Sequence, residues 1–195
     1  MGDMTDEVAH EKRALRAELR QRRRTMGGLE REHASQAVTR HLVDLTTALG
    51  ARSVSAYLST PDEPDTRPWL RWAHEQGVRV LYPISREDGL LDWTVSDGTS
   101  EREGLFGLPE PVGEPLSPMA LDGVDLIVVP AACVDRAGHR MGWGRGYFDK
   151  TLGSMQVRPP VYAVVFDSEY LETVPTERHD EPVDGVVTPS GVVEF

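Results

Sequence analysis

The stretch Leu126-Ile127-Val128-Val129-Pro130-Ala131-Ala132-Cys133-Val134-Asp135-Arg136-Ala137-Gly138-His139-Arg140-Met141-Gly142-Trp143-Gly144-Arg145-Gly146-Tyr147-Phe148-Asp149-Lys150-Thr151-Leu152 decides how this chain is read. Its first four residues form a continuous apolar run, the pattern of a strand buried on both faces of a parallel sheet. Pro130 closes the run because proline has no N–H to give to a ladder. A polar, glycine-punctuated loop is expected next, and beyond Gly142-Trp143-Gly144-Arg145-Gly146-Tyr147-Phe148-Asp149 the chain reads as helix. Alternate glycines let backbone N–H groups approach an anion, and the helix start behind them adds orphan donors. Three glycines at this spacing match neither common nucleotide fingerprint, and alone they suit a flexible surface loop. The flanks point instead to a phosphate cradle. Arg145 supplies a charged fork, Tyr147 and Phe148 supply stacking faces, and Asp149 supplies a hard oxygen ligand suited to Mg²⁺.

Working outward, Ser53–Leu58, Val78–Pro83, Leu91–Val95 and Val161–Phe166 read as strands, and a short strand ends the segment His179–Thr188. Helices are expected over Thr5–Met26, Leu29–Leu49 and Arg67–Gln76. The second is the most regular, with Ala34, Val38, Leu42, Leu45 and Leu49 on one stripe and Gly50 as a left-handed stop. Thr66 is placed to cap the third, with Pro68 in its first turn and Gly77 at its end. This alternation predicts a three-layer α/β/α sandwich with a mainly parallel sheet, in one domain spanning residues 1–195. From Ser96 to Leu121, four prolines and several glycines predict a long loop wrapping a substrate cleft. Trp93 and Phe106 suit either core packing or stacking on a ligand. A helical turn is expected over Glu169–Val174.

Charge and cysteine usage exclude several classes. With 21 Lys+Arg against 32 Asp+Glu, the net charge of −11 disfavours nucleic acid and anionic membrane as partners. Cys133 is the single cysteine, so no internal disulfide forms; its position at the strand end suits a small buried hydrophobe better than a nucleophile. No segment has the length of a membrane span or a signal-peptide core. The expectation is a cytoplasmic monomer acting on a small molecule.

The first helix carries few apolar residues and many basic ones, with Lys12, Arg16 and Arg20 on one face. Most of its arginines read as a solvated face. Lys12 is one of two lysines in an arginine-rich chain, and its compact ammonium suits a point contact to phosphate. Glu63 follows the carboxyl end of a strand, where ligands bind in open α/β sheets. Asp180 is a surface carboxylate by its type alone.

These residues carry a resemblance. Arg140-Met141-Gly142-Trp143-Gly144-Arg145-Gly146-Tyr147-Phe148-Asp149 resembles the signature of the 5-formyltetrahydrofolate cyclo-ligase family, with Phe148 where a second tyrosine is common. Lys12-Arg13-Ala14-Leu15-Arg16 is similar to that family's N-terminal nucleotide motif, Tyr57–Glu63 to its folate loop, and His179-Asp180 onward to the segment before its last strand. The resemblance implies a fold like that of sugar-phosphate isomerases and CoA-transferases, and ATP- and Mg²⁺-dependent cyclisation of 5-formyltetrahydrofolate. It implies Lys12 to Arg16 and Arg140 to Phe148 against ATP. Leu58, Glu63 and Trp143 to Tyr147 would meet the folate, with Asp149 and Asp180 on magnesium. Within these sets Lys12, Arg145 and Tyr147 are the expected catalytic groups. Another ATP-dependent enzyme, or a non-catalytic folate- or nucleotide-binding protein, remains compatible with the same residues.

Overall fold

The structure is a computed structural model that describes residues 2–96, 98 and 100–195. Helices α1 (Gly2–Thr25) and α2 (Gly28–Ala48) precede strand β1 (Ser53–Ser55), helix α3 (Arg67–Glu75) and strands β2 (Arg79–Ser85) and β3 (Leu91–Val95). Three short strands follow: β4 (Glu101–Glu103), β5 (Pro109–Pro111) and β6 (Pro115–Leu116). Next come β7 (Leu126–Pro130), β8 (Cys133–Asp135), β9 (Arg140–Met141) and helix α4 (Tyr147–Ser154). Strands β10 (Val161–Val164), β11 (Tyr170–Leu171), β12 (Gly185–Thr188) and β13 (Gly191–Glu194) complete the chain.

Eight strands form the main sheet in the order β13-β12-β10-β7-β1-β2-β3-β6. The inner five run parallel, while β3, β6 and β13 are antiparallel at the margins. The apolar run sits at the centre, with Val54 opposite Leu126 on one side and Val161 opposite Ile127 on the other. Side chains alternate across a strand, so the run feeds two cores. Leu126 and Val128 pack with Val38, Leu42, Trp69 and Leu70 of α2 and α3. Ile127 and Val129 pack with Leu152 of α4 and with Leu121. All four strand residues are fully buried. The expected sandwich with a mostly parallel sheet is what the chain forms. Among the described residues, no helix is long and apolar enough to cross a membrane.

Several local expectations are corrected. The stretch between Pro130 and Gly142, read as a loop, contains the hairpin β8–β9; with β11 it makes a second, three-stranded sheet. Strands of two or three residues are too short to leave a period in sequence. Glu169–Val174 is no helical turn: a 3-10 turn over Asp167–Glu169 leads into β11. The 96–121 segment holds β4, β5, β6 and 3-10 turns rather than an unbroken loop. Asp97 and Thr99 within it lie outside the described residues. Thr66 occupies the cap position of α3 but donates to the Tyr57 carbonyl at 2.8 Å; Asp65 accepts from Arg67 N instead. Trp93 is buried in the core between β2 and β6, whereas Phe106 is half exposed.

Candidate active site

Helix α1 positions the first wall of the site, and it docks mainly through charge. Its inward stripe is Lys12, Arg16, Leu19 and Arg23, spaced four, three and four residues, which is one helix face. Leu19 rests on Cys133 and Met141 of the second sheet and on Val174 just beyond it. The other three reach specific acceptors. Lys12 Nζ meets Glu177 Oε2 at 2.7 Å and also Asp180 Oδ2, and its side chain is only 5% exposed. Arg16 Nε donates to the Gly142 carbonyl at 2.8 Å. Arg23 forms a buried two-pronged pair with Glu169, at 2.6 and 2.8 Å, and donates to the Ala131 carbonyl.

The glycine loop is shaped around that helix. The Arg16 guanidinium lies 3.4 Å from where a side chain at Gly144 would begin, and Gly144 has φ +98. Both facts favour a residue without Cβ. Gly146, at φ 68, starts α4 with no side-chain cap, leaving the first N–H groups of that helix without a side-chain partner. Burial, and then Arg20 nearby, holds the Arg16 guanidinium below its ordinary value. It remains a cation at neutral pH, so this wall favours an anion. Trp143 lies under Arg20 and Arg23, whose guanidinium carbons stand 5.1 and 4.7 Å from its ring centre. Arg145 is exposed and stacks on the Phe106 ring.

The carboxylates lie behind the loop. Arg140 is buried and donates to Asp149 Oδ1 at 2.7 Å and to the Pro130 carbonyl. Glu181 N also reaches Asp149 Oδ1, at 3.3 Å, so Asp149 stands beside the segment that carries Asp180. Asp149 Oδ2 accepts no hydrogen bond among the described residues. Glu177, His179 and Asp180 offer ligand atoms all within 4.8 Å of one another. The donor chemistry is mostly carboxylate oxygen, which suits a hard dication. Lys12 already provides a positive charge between two of these carboxylates.

The opposite side is built from the chain after β1. Tyr57 and Leu58 are buried, and Glu63 is half-buried. Glu63 Oε2 accepts from Thr60 N at 2.8 Å and from Thr60 Oγ1, while Oε1 accepts no hydrogen bond among the described residues. Burial raises the Glu63 carboxyl above the usual range, against the bonds from Thr60. These elements, with Leu108–Pro111, line one cleft of about 1390 Å³. That exceeds the roughly 300–1,000 Å³ of a single-ligand pocket, so there is space for two substrates.

The structure brings most of the site residues expected from sequence into this cleft, Ala14 and Leu15 excepted. Lys12, Arg16, Leu58, Glu63, the segment Arg140–Asp149 and Asp180 line the cleft. Arg13 lines it but is exposed; Ala14 is exposed and Leu15 packs under the helix. Tyr147 donates its hydroxyl to the Arg86 carbonyl at 2.7 Å and Phe148 packs on the core, so both rings anchor α4. Cys133 is fully buried, and burial pushes its thiol up to about 12; it is the inert hydrophobe expected. Sequence reading missed Arg23, Glu169 and Glu177. Arg23 extends the Lys12–Arg16 face by two turns, and that spacing was the available signal.

Comparison with known proteins places the chain in a family. The profile of the 5-formyltetrahydrofolate cyclo-ligase family matches residues 8–189. The 5-formyltetrahydrofolate cyclo-ligase of Mycolicibacterium smegmatis is 36% identical over 93% of this chain and 96% of that protein. The enzyme of the same name from Escherichia coli is 28% identical, over 91% of this chain and 100% of that one. The solution structure of Aquifex aeolicus 5,10-methenyltetrahydrofolate synthetase superposes with a TM-score of 0.78 at 28% identity, covering 94% of this chain and 92% of that one.

Proposed function

This chain belongs to the 5-formyltetrahydrofolate cyclo-ligase family, and we propose that it uses ATP and Mg²⁺ to close 5-formyltetrahydrofolate into 5,10-methenyltetrahydrofolate. The observation that carries the proposal is one cleft, large enough for two ligands, with the cations Lys12, Arg16 and Arg145 and the carboxylate Glu63 in its lining.

The formyl oxygen attacks the γ-phosphorus of ATP, forming a P–O bond as ADP leaves. N10 then bonds to the activated formyl carbon, gives up its proton, and phosphate departs with the former formyl oxygen. No protein nucleophile is required, in keeping with the burial of Cys133. Positioning and charge neutralisation carry such chemistry. Lys12, Arg16, Arg145 and the backbone donors at Gly142–Gly146 hold the phosphates. Leu58, Glu63, Trp143 and Tyr147 hold the folate, with Glu63 accepting from pterin N–H groups. Asp149 and Asp180 would hold magnesium, with Arg140 fixing one oxygen of Asp149 and leaving the other for the metal. When bound, the metal neutralises charge on the phosphate oxygens.

The test mixes protein, ATP, MgCl₂ and 5-formyltetrahydrofolate and follows methenyl absorbance alongside ADP. One ADP per methenyl product is expected; no product, or product without ADP, overturns the reading. Asp149→Asn keeps an oxygen for Arg140 and Glu181 N but loses the charge a dication needs. Its turnover should fall at least about a hundredfold, with about 1–3 kcal/mol lost from stability because buried Arg140 loses its counter-charge. Near wild-type cyclisation would remove Asp149 from the metal site.

A further inference from the structure

Two residues in the cleft wall hold polar atoms that have no hydrogen-bond partner among the described residues. Tyr57 Oη and Arg23 Nη1 are both buried and both unpaired. A buried donor without a partner costs about 1–3 kcal/mol, and folded proteins hold few of them. Neither atom is left over through looseness. The Tyr57 ring is packed in the core beneath α2 and α3. The Arg23 fork is pinned by Glu169 through Nε and Nη2, and by the Ala131 carbonyl, so its remaining nitrogen has a fixed direction. A third unpaired nitrogen in this wall, Arg140 Nε, belongs to a guanidinium already committed to Asp149.

Tyr57 and Arg23 form one cluster with Glu63. Burial is the main cause that holds the Tyr57 hydroxyl protonated well past its ordinary range, and the Glu63 carboxylate adds to it, while Arg23 opposes. A protonated Oη is a donor at any physiological pH. The wall of the same cleft therefore presents an acceptor, Glu63, and two donors, Tyr57 Oη and Arg23 Nη1. The complementary ligand edge has N–H groups next to a carbonyl oxygen. A pterin ring carries such an edge in its 2-amino group, N3–H and 4-oxo group.

We propose that Tyr57 Oη and Arg23 Nη1 are reserved for the 4-oxo oxygen of the pterin whose N–H groups bind Glu63, making them specificity-determining residues of the folate subsite. The proposal rests on the folate reading above. The ring edge enters the wall to reach them, and the two unpaired donors become satisfied on binding. A 4-amino pterin has no carbonyl there and brings N–H groups against N–H and O–H. A site built around a hydrogen-bonding group rejects the analogue lacking it far better than an apolar pocket distinguishes sizes.

The test is Tyr57→Phe, which deletes one oxygen and keeps the ring. Thermal stability should be unchanged or higher, because Oη has no hydrogen-bond partner among the described residues. KM for 5-formyltetrahydrofolate should rise about tenfold and KM for ATP should not move. The preference for a 4-oxo over a 4-amino pterin inhibitor should fall by a similar factor. Arg23→Lys retains a cation for Glu169 but lacks the free N–H, and it should lower the same preference. An unmoved preference and an unmoved folate KM in Tyr57→Phe, with wild-type turnover intact, would overturn this assignment alone. Wild-type protein that forms no methenyl product would overturn the folate reading and this assignment with it.

Discussion

Helices α1 and α2 are neighbours in sequence and of similar length, yet they are held by different forces. Helix α2 buries Ala34, Val38, Leu42 and Leu45 against the sheet, and each large apolar side chain so buried is worth about 1.5–3 kcal/mol. Among its described side chains helix α1 fully covers one apolar residue, Leu19, and it is fixed by Lys12, Arg16 and Arg23 on carboxylates and carbonyls. Apolar burial is non-directional and indifferent to ligands. Charged contacts are directional, and an anion entering the cleft competes with or adds to them. Helix α2 is scaffold, and α1 is both scaffold and ligand wall.

The sharpest way to break this contrast is Glu169→Ala. It strands the buried Arg23 guanidinium, and removing one partner of a buried pair costs about 3–5 kcal/mol. Urea unfolding should show that loss together with weaker folate binding, since Arg23 is displaced. Leu42→Ala should cost about 2–5 kcal/mol while leaving the ligand constants of the folded fraction unchanged. A comparable loss of ligand affinity in both variants would erase the distinction between the helices.

Lys12→Ala has a smaller effect on stability and a larger one on nucleotide. One charge-assisted contact is worth about 1.5–3 kcal/mol, so ATP affinity should drop about ten- to a hundredfold with folate affinity held. Calorimetry giving equal losses for both ligands would refute the assignment of Lys12 to phosphate.

The smallest expected effect concerns the hairpin on which α1 rests. Burial pushes the Asp135 carboxyl up, but bonds from the His139 ring, His139 N and Ala137 N outweigh it, and the net shift is downward. A lowered carboxyl stabilises the fold fully above the unfolded value of about 3.9, and that contribution is lost as pH falls through the lowered native value. The stability gap between wild type and Asp135→Asn should therefore shrink on acidification below about pH 4. A gap independent of pH would show that the carboxylate charge plays no part.

The parts of the molecule that were legible in sequence are those with a local signature. Leu126–Val129 announces a doubly buried strand by its unbroken apolar run, and α2 announces its buried face by helical spacing. Gly50 and Gly77 end their helices at φ 60 and 73, as glycines after periodic runs should. The glycine loop could be found because its distinctive residues lie close together in the chain. What sequence alone determined was thus the layer architecture, the position of the glycine loop and the family.

Only the tertiary structure decided how α1 is held and what the inner wall of the cleft offers. Arg23 meets Glu169 across 146 positions, and Lys12 meets Asp180 across 168. Sequence marks Lys12 by its rarity and Arg23 by its place on the Lys12–Arg16 face, but nothing local says which distant carboxylate either one meets. A long-range ion pair leaves no period, because each partner satisfies its own helix or turn first and finds the other only when the sheets assemble. The unpaired Tyr57 hydroxyl is harder still to anticipate. It is defined by the lack of any acceptor among the described neighbours, which is a property of the packed interior and of no stretch of sequence.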